Sequence, residues 1–157
     1  VIKIYLRLGG ALAIAASSAC VTLPEASVAP RPLVSIAAPV AKTWASALDQ
    51  LADHGVAVRS VEPDSGFIAT ETIALPMFST DASKWADCGT FAGFRFAPSV
   101  VDYTIFVRGD STGSSLKTSA RYRLVKTTDE VPTDCVSTGA FEHSFDASVK
   151  QRAELGQ

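Results

Sequence analysis

A chain of 157 residues fits a single domain with a real hydrophobic core. Its 14 Lys and Arg against 16 Asp and Glu give a formal charge of −2, which argues against a general nucleic-acid binder, since displacing counterions requires an excess of basic side chains. Mean hydropathy is positive, but the first twenty residues hold no acid and much Ala, Leu and Ile; without them 12 basic residues face 16 acidic ones, a formal −4.

That N-terminal stretch is organised as an export signal. Lys3 and Arg7 form a basic start, and Leu8 to Ala16 (LGGALAIAA) is an apolar run within the roughly 7–15 residues of a signal-peptide core. A membrane span needs about 20 mostly apolar residues, and Gly9, Gly10, Ser17 and Ser18 interrupt a stretch already too short. The order Ser18-Ala19-Cys20 resembles the lipobox of bacterial lipoproteins, with Ser17 where that family usually has Leu. The resemblance implies cleavage before Cys20 and acylation of its sulfur, so residues 1–19 are read as a lipoprotein signal peptide. Ser17-x-Ala19 also satisfies the small-x-small rule of ordinary signal peptidase, and cleavage after Ala19 without lipidation is the rival outcome. Val21, in place of Asp after the cysteine, implies sorting to the outer membrane, facing the periplasm. Residues 20–32 then form an acylated Cys and a Pro/Ala-rich tether: Pro24, Pro30 and Pro32 favour an extended course of about 3.1 Å per residue.

Three cysteines in an exported chain leave one over. Lipidating Cys20 removes the oddness and leaves Cys88 and Cys135 to pair in a compartment where disulfides persist. Closing a loop of about 48 residues stabilises by about 4 kcal/mol in the entropic account; two buried free thiols are the alternative. A zinc site is weaker still, because CxxC spacing is missing and His54 and His143 lie far apart.

Residues 33–157 read as a single periplasmic α+β domain. Leu33 to Ala37 is an opening strand. Pro39 suits the first position of a helix, along which Val40, Trp44, Leu48 and Leu51 form one apolar stripe, with Gly55 as its stop. Val56 to Val61 and Phe67 to Leu75 flank the turn Glu62-Pro63-Asp64-Ser65-Gly66 and predict a hairpin. Pro76 to Gly93 has no lasting period and is expected to be a long loop pinned by the disulfide. Val100 to Arg108 and Ser115 to Val125 are the clearest strands; Leu116, Thr118, Ala120, Tyr122 and Leu124 alternate with Lys117, Ser119, Arg121 and Arg123. Gly139 to Glu154 predicts a closing helix capped by Ser137 or Thr138, with Glu142 facing its positive end and Phe141, Phe145 and Val149 buried. The expected architecture is β-α-β-β-β-β-α, an antiparallel sheet of about four to six strands packed on two helices.

Trp44, Leu48, Leu51, Gly55, Val58, Asp64, Gly66 and Ile68 follow a pattern similar to the first half of the helix-grip domains in the lipoprotein C subunit of the bacterial β-barrel assembly machinery. That likeness covers about thirty residues and implies a sheet gripping a long helix, with a binding or scaffolding role at the inner face of the outer membrane. Asp87-Cys88-Gly89 and Cys135-x-Ser137-Thr138-Gly139-Ala140-Phe141-Glu142 also resemble uncharacterised small bacterial lipoproteins, a family that implies no chemistry.

Catalysis finds little foothold. Gly109-Asp110-Ser111-Thr112-Gly113 matches the G-x-S-x-G nucleophile elbow, but the elbow needs a strand-to-helix turn and this segment joins two strands. Asp53 and His54 are adjacent on a helix and point apart. His143 and Asp146 are three apart and share a face suited to a metal or a proton relay, although no second ligand cluster accompanies them. No catalytic residue, metal or cofactor is therefore expected. The candidate binding surface is the stripe Lys117, Arg121 and Arg123, joined by Arg108, which suits acidic lipid headgroups, lipopolysaccharide or an acidic protein; a solvated sheet face has the same residues. Trp85, with Phe78 and Phe91, is either a binding edge or a cover for the core. The expected partners are the membrane, through the acyl chains, and an envelope protein. The expected function is non-catalytic binding or scaffolding; the alternative is a lipid or small-ligand module with a cavity between sheet and helix.

Overall fold

The computed structural model describes residues 31–76, 82–91, 93–125 and 131–156. The leader, Cys20, the tether up to residue 30 and Phe78 lie outside the described residues, as does the Phe91 side chain.

Strand β1 (Val34–Ile36) is followed by helix α1 (Val40–Asp53). Pro39 sits one position earlier than expected, as the N-cap, and its carbonyl accepts from Lys42 and Thr43 N–H. No side chain caps this end; the Val40 N–H is instead donated to the Asp110 carbonyl at 2.9 Å, which ties the helix to a distant turn. The buried face is centred on Thr43, Ala47 and Leu51, with Trp44 and Leu48 packed at its flank. Small residues at the centre allow the backbone close to its neighbours, so the apolar stripe is rotated slightly from the core axis. The helix stops at Gly55, whose φ of +65° suits a residue without Cβ.

Strands β2 (Val58–Glu62) and β3 (Phe67–Thr70) form the expected hairpin. Gly66 is required there: at φ +69° a Cβ would lie 2.0 Å from the Val107 carbonyl oxygen, while Val107 N–H donates to Gly66 at 2.8 Å. The expected second strand breaks after Thr70, and β4 (Ile73–Ala74) resumes farther along. The segment expected as a loop carries short pieces: α2 (Ala82–Trp85), β5 (Ala86–Asp87), β6 (Thr90–Phe91) and β7 (Phe94–Arg95). Strands of two residues carry no readable period, so this correction has a simple cause.

The long hairpin of β8 (Val100–Gly109) and β9 (Ser114–Leu124) is the centre of the molecule, and its alternation is as expected. After it come β10 (Thr133–Asp134), β11 (Val136–Ser137) and α3 (Ala140–Leu155). The main sheet runs β1-β9-β8-β3-β2, with β10 also on β9 and β4 also on β8; every pairing is antiparallel. Seven strands thus replace the expected four to six, the excess being two-residue pieces. The class is α+β, with α1 and α3 packed against each other and against the sheet.

Between the helices and the sheet, Leu51, Ile68, Ile105, Leu116, Phe145 and Val149 are each 3% exposed or less. A second cluster of Ala86, Val101, Tyr103 and Tyr122 is joined by Trp85 and Phe141. Cys88 and Cys135 are disulfide-bonded with Cα atoms 4.3 Å apart, tying the β5–β6 segment to the β10–β11 segment. Among the described residues, no helix is long and apolar enough to cross a membrane.

Candidate functional site

The helices cover one face of the sheet, and β9 presents its basic residues on the other. Their surroundings divide that face into two ends. At one end Arg123 reaches the Asp102 carboxylate at 2.6 Å across the β8–β9 pair, and also Thr72. Beside it Arg121 makes two hydrogen bonds to Asp134, at 3.1 and 3.2 Å. Both arginines of the expected binding stripe are therefore occupied by acids. Asp102 faces Arg121 in register and Asp134 faces Arg123, so the pairing arises from strand order rather than from proximity in sequence.

At the other end the charges are open. Lys117 stands opposite Phe106, and Arg108 opposite Ser115. Phe67 lies next to Phe106, ring centroids 5.2 Å apart, and the Arg108 guanidinium sits 6.0 Å from the Phe106 ring. Leu33, just before β1, is 60% exposed. Leu33, Phe106, Arg108, Ser115 and Lys117 line an open groove of about 240 Å³. Neither Lys117 nor Arg108 has an ion pair among the described residues.

Trp85 belongs elsewhere. It packs edge-on against Phe141 at 5.9 Å, and its carbonyl accepts from the Thr138 N–H and hydroxyl. The structure thus places it in the second core cluster and does not bring it together with the basic residues.

The largest cluster absent from the sequence reading is buried under the start of α3. Strands β1 and β10 both pair with β9 but leave its middle edge without a strand partner. Glu142, 1% exposed, fills that break: its Oε1 accepts from the Ala120 N–H of β9 at 3.4 Å and from the Ser137 hydroxyl at 2.9 Å. Arg31, at the end of the tether, closes the site by an ion pair to the same carboxylate and a 3.2 Å hydrogen bond to the Gly139 carbonyl. Gly139, at φ +86°, is the residue before α3, so the expected Ser137 or Thr138 cap is displaced. The Ser137 hydroxyl instead accepts from Gly139 N–H and donates to Glu142. A Glu in the first turn suggested a surface partner for the helix dipole, and nothing local distinguishes that from burial.

One turn along α3, Asp146 is 8% exposed, and its carboxyl is held above the usual value by desolvation, tempered by nearby Thr118 and Arg31. Neither Asp146 Oδ1 nor the Thr118 hydroxyl has a hydrogen-bond partner among the described residues. Burial pushes the Tyr103 hydroxyl up to about 12, partly offset by the Tyr122 hydroxyl, and pushes Tyr122 up as well. Both tyrosines are thus neutral at any ordinary pH. His143 is exposed, so the pair His143 and Asp146 divides between surface and interior.

The remaining chemistry candidates have structural partners. His54 contacts Gln50 at 2.9 Å, whereas Asp53 pairs with Arg152. Residues 109–113 form the turn between two antiparallel strands, without the helix a nucleophile elbow needs. There Asp110 is held below the usual carboxylate range by the Thr112 hydroxyl and the Thr112 and Gly113 N–H groups. Among the described residues, no three His, Cys, Asp or Glu side chains are placed to share a metal. No family model matches the chain, and no curated protein matches it.

Proposed function

We propose that the chain is a bacterial lipoprotein, acylated at Cys20 and held at the periplasmic face of the outer membrane, whose domain binds or scaffolds another envelope component without catalysis. The observation that carries this reading is the pairing of Cys88 with Cys135, which leaves Cys20 as the one cysteine without a partner of its own kind. A lone thiol directly after a basic, apolar and small-residue leader suits acyl transfer, and a disulfide suits an oxidising compartment. The residues that carry the helix-grip likeness fall in α1, at its stop Gly55 and in the β2–β3 hairpin around Gly66. Among the described residues, the side chains between sheet and helices form a buried apolar cluster, which supports surface recognition over the cavity alternative.

Intact-mass spectrometry of the product purified from bacterial membranes tests the reading. The expected species begins at Cys20 and carries a diacylglyceryl group on its sulfur. A free thiol at Cys20, or a retained leader, ends it.

A further inference from the structure

We propose that the open end of the outer sheet face, formed by Leu33, Phe106, Arg108 and Lys117, is a docking surface for an anionic phospholipid bilayer. The proposal rests on the lipoprotein reading and specifies which side of the domain meets the membrane. Three observations converge on it. First, Arg108 and Lys117 are exposed and have no acidic partner among the described residues, whereas Arg121 and Arg123 on the same face are engaged by Asp134 and Asp102. Of these four cations, the two without an acidic partner share one end.

Second, those cations flank exposed carbon. Leu33 is 60% exposed and borders the groove with Phe106, a combination of apolar side chain and cation that suits the boundary between headgroups and acyl chains. The nearest acid along that row is Glu62, which pairs with Phe67 on the far side of Phe106 and is contacted by the Ser60 and Ser65 hydroxyls.

Third, the chain that leads into this surface is pinned to the same strand, next to Ala120 in the middle of β9. Arg31 fixes the close of the tether against Gly139 and Glu142 at the β9 edge, two residues before Leu33. In sequence, Cys20 precedes Leu33 by 13 residues. Each basic side chain near an anionic surface contributes about 1 kcal/mol, or about 5.4-fold, so two strengthen attachment about 30-fold. That is weak for a protein arriving from solution. It becomes effective when the acyl anchor holds the face at high local concentration.

The test uses the full chain expressed in a bacterium, with the Leu33→Cys variant carrying an environment-sensitive dye. The His143→Cys variant reports from the opposite, helical side. Each is reconstituted with vesicles of phosphatidylcholine alone or mixed with phosphatidylglycerol. The expected result is retention by both vesicle types, and a blue shift of the dye at position 33 only where phosphatidylglycerol is present. High salt reverses the shift, and Arg108→Ser with Lys117→Ser weakens it about 30-fold; the dye at position 143 does not respond. Retention by both vesicles with the same dye signal on each overturns docking and leaves the anchor standing. Loss of retention, with an unmodified Cys20 by mass, overturns the anchor instead. In that case excess anionic vesicles decide docking separately: a salt-sensitive shift supports it, and no shift refutes it.

Discussion

Strand β9 meets carboxylates on both of its sides, under opposite physical conditions. Under α3, Glu142 and Asp146 are 1% and 8% exposed, whereas on the outer face the side chains of Arg121 and Asp134 are 64% and 63% exposed. The inner acids have left water and depend on what replaces it. Glu142 has a full set of replacements in Arg31, Ser137 and the Ala120 N–H; Asp146 lacks one for Oδ1. The outer pairs retain solvent, so their geometry arranges charge more than it stabilises the fold. Charge next to one strand is therefore buried and structural on one side and solvated on the other.

The sharpest way to break this contrast is to remove Arg31. Truncating one member of a buried pair leaves an uncompensated charge, a loss of about 3 kcal/mol. Arg31→Ala is expected to lower stability by about that amount in urea unfolding, and Arg31→Ala combined with Glu142→Gln to recover part of it. A loss below about 1 kcal/mol would show that solvent reaches Glu142 once Arg31 is gone.

Asp146 sharpens the contrast in the opposite direction. Its carboxyl is held above 3.8 by burial, so folding favours the protonated form. Below 3.8 the group is protonated in both states and carries no charge penalty. As pH rises through the folded value, the native state must hold a buried carboxylate, and stability is lost. Asp146→Asn keeps the shape without the charge. It is expected to raise stability by about 1 kcal/mol at pH 7, with the gain disappearing toward pH 3.5. Paired denaturant titrations at the two pH values read the difference; equal gains at both would assign the effect to packing.

How much was legible in the sequence follows the same division. Alternation along Ser115 to Val125 assigns the two faces of β9, and the turn chemistry around Pro63 and Gly66 assigns the β2–β3 hairpin. Those signals repeat every second residue or occupy a tight turn, so local pattern suffices. The role of Glu142 was not legible: it depends on Arg31, 111 positions away, and on a break between two edge strands. The pairing of Arg121 was hidden similarly, because Asp134 lies in a two-residue strand with no period. The segment around Cys88 fails for that reason too, although the odd number of cysteines did point to the pair Cys88 and Cys135; of the two readings of Trp85, the cover for the core is the one the structure has.

The smallest expected effects separate the two outer pairs. Arg123 and Asp102 each keep 23% of their side-chain exposure at 2.6 Å, against 64% and 63% for Arg121 and Asp134 at 3.1 Å. Less water around the first pair means weaker screening and a stronger attraction, and Arg123 also contacts Thr72. Double-mutant cycles to Ala are therefore expected to give a coupling of about 1 kcal/mol for Arg123 with Asp102 and below about 0.5 kcal/mol for Arg121 with Asp134. Raising salt should erase the second and reduce the first only in part. If both couplings vanish together in salt, exposure does not distinguish the pairs, and the neutralised end of the sheet becomes as open to an ionic partner as the end around Lys117.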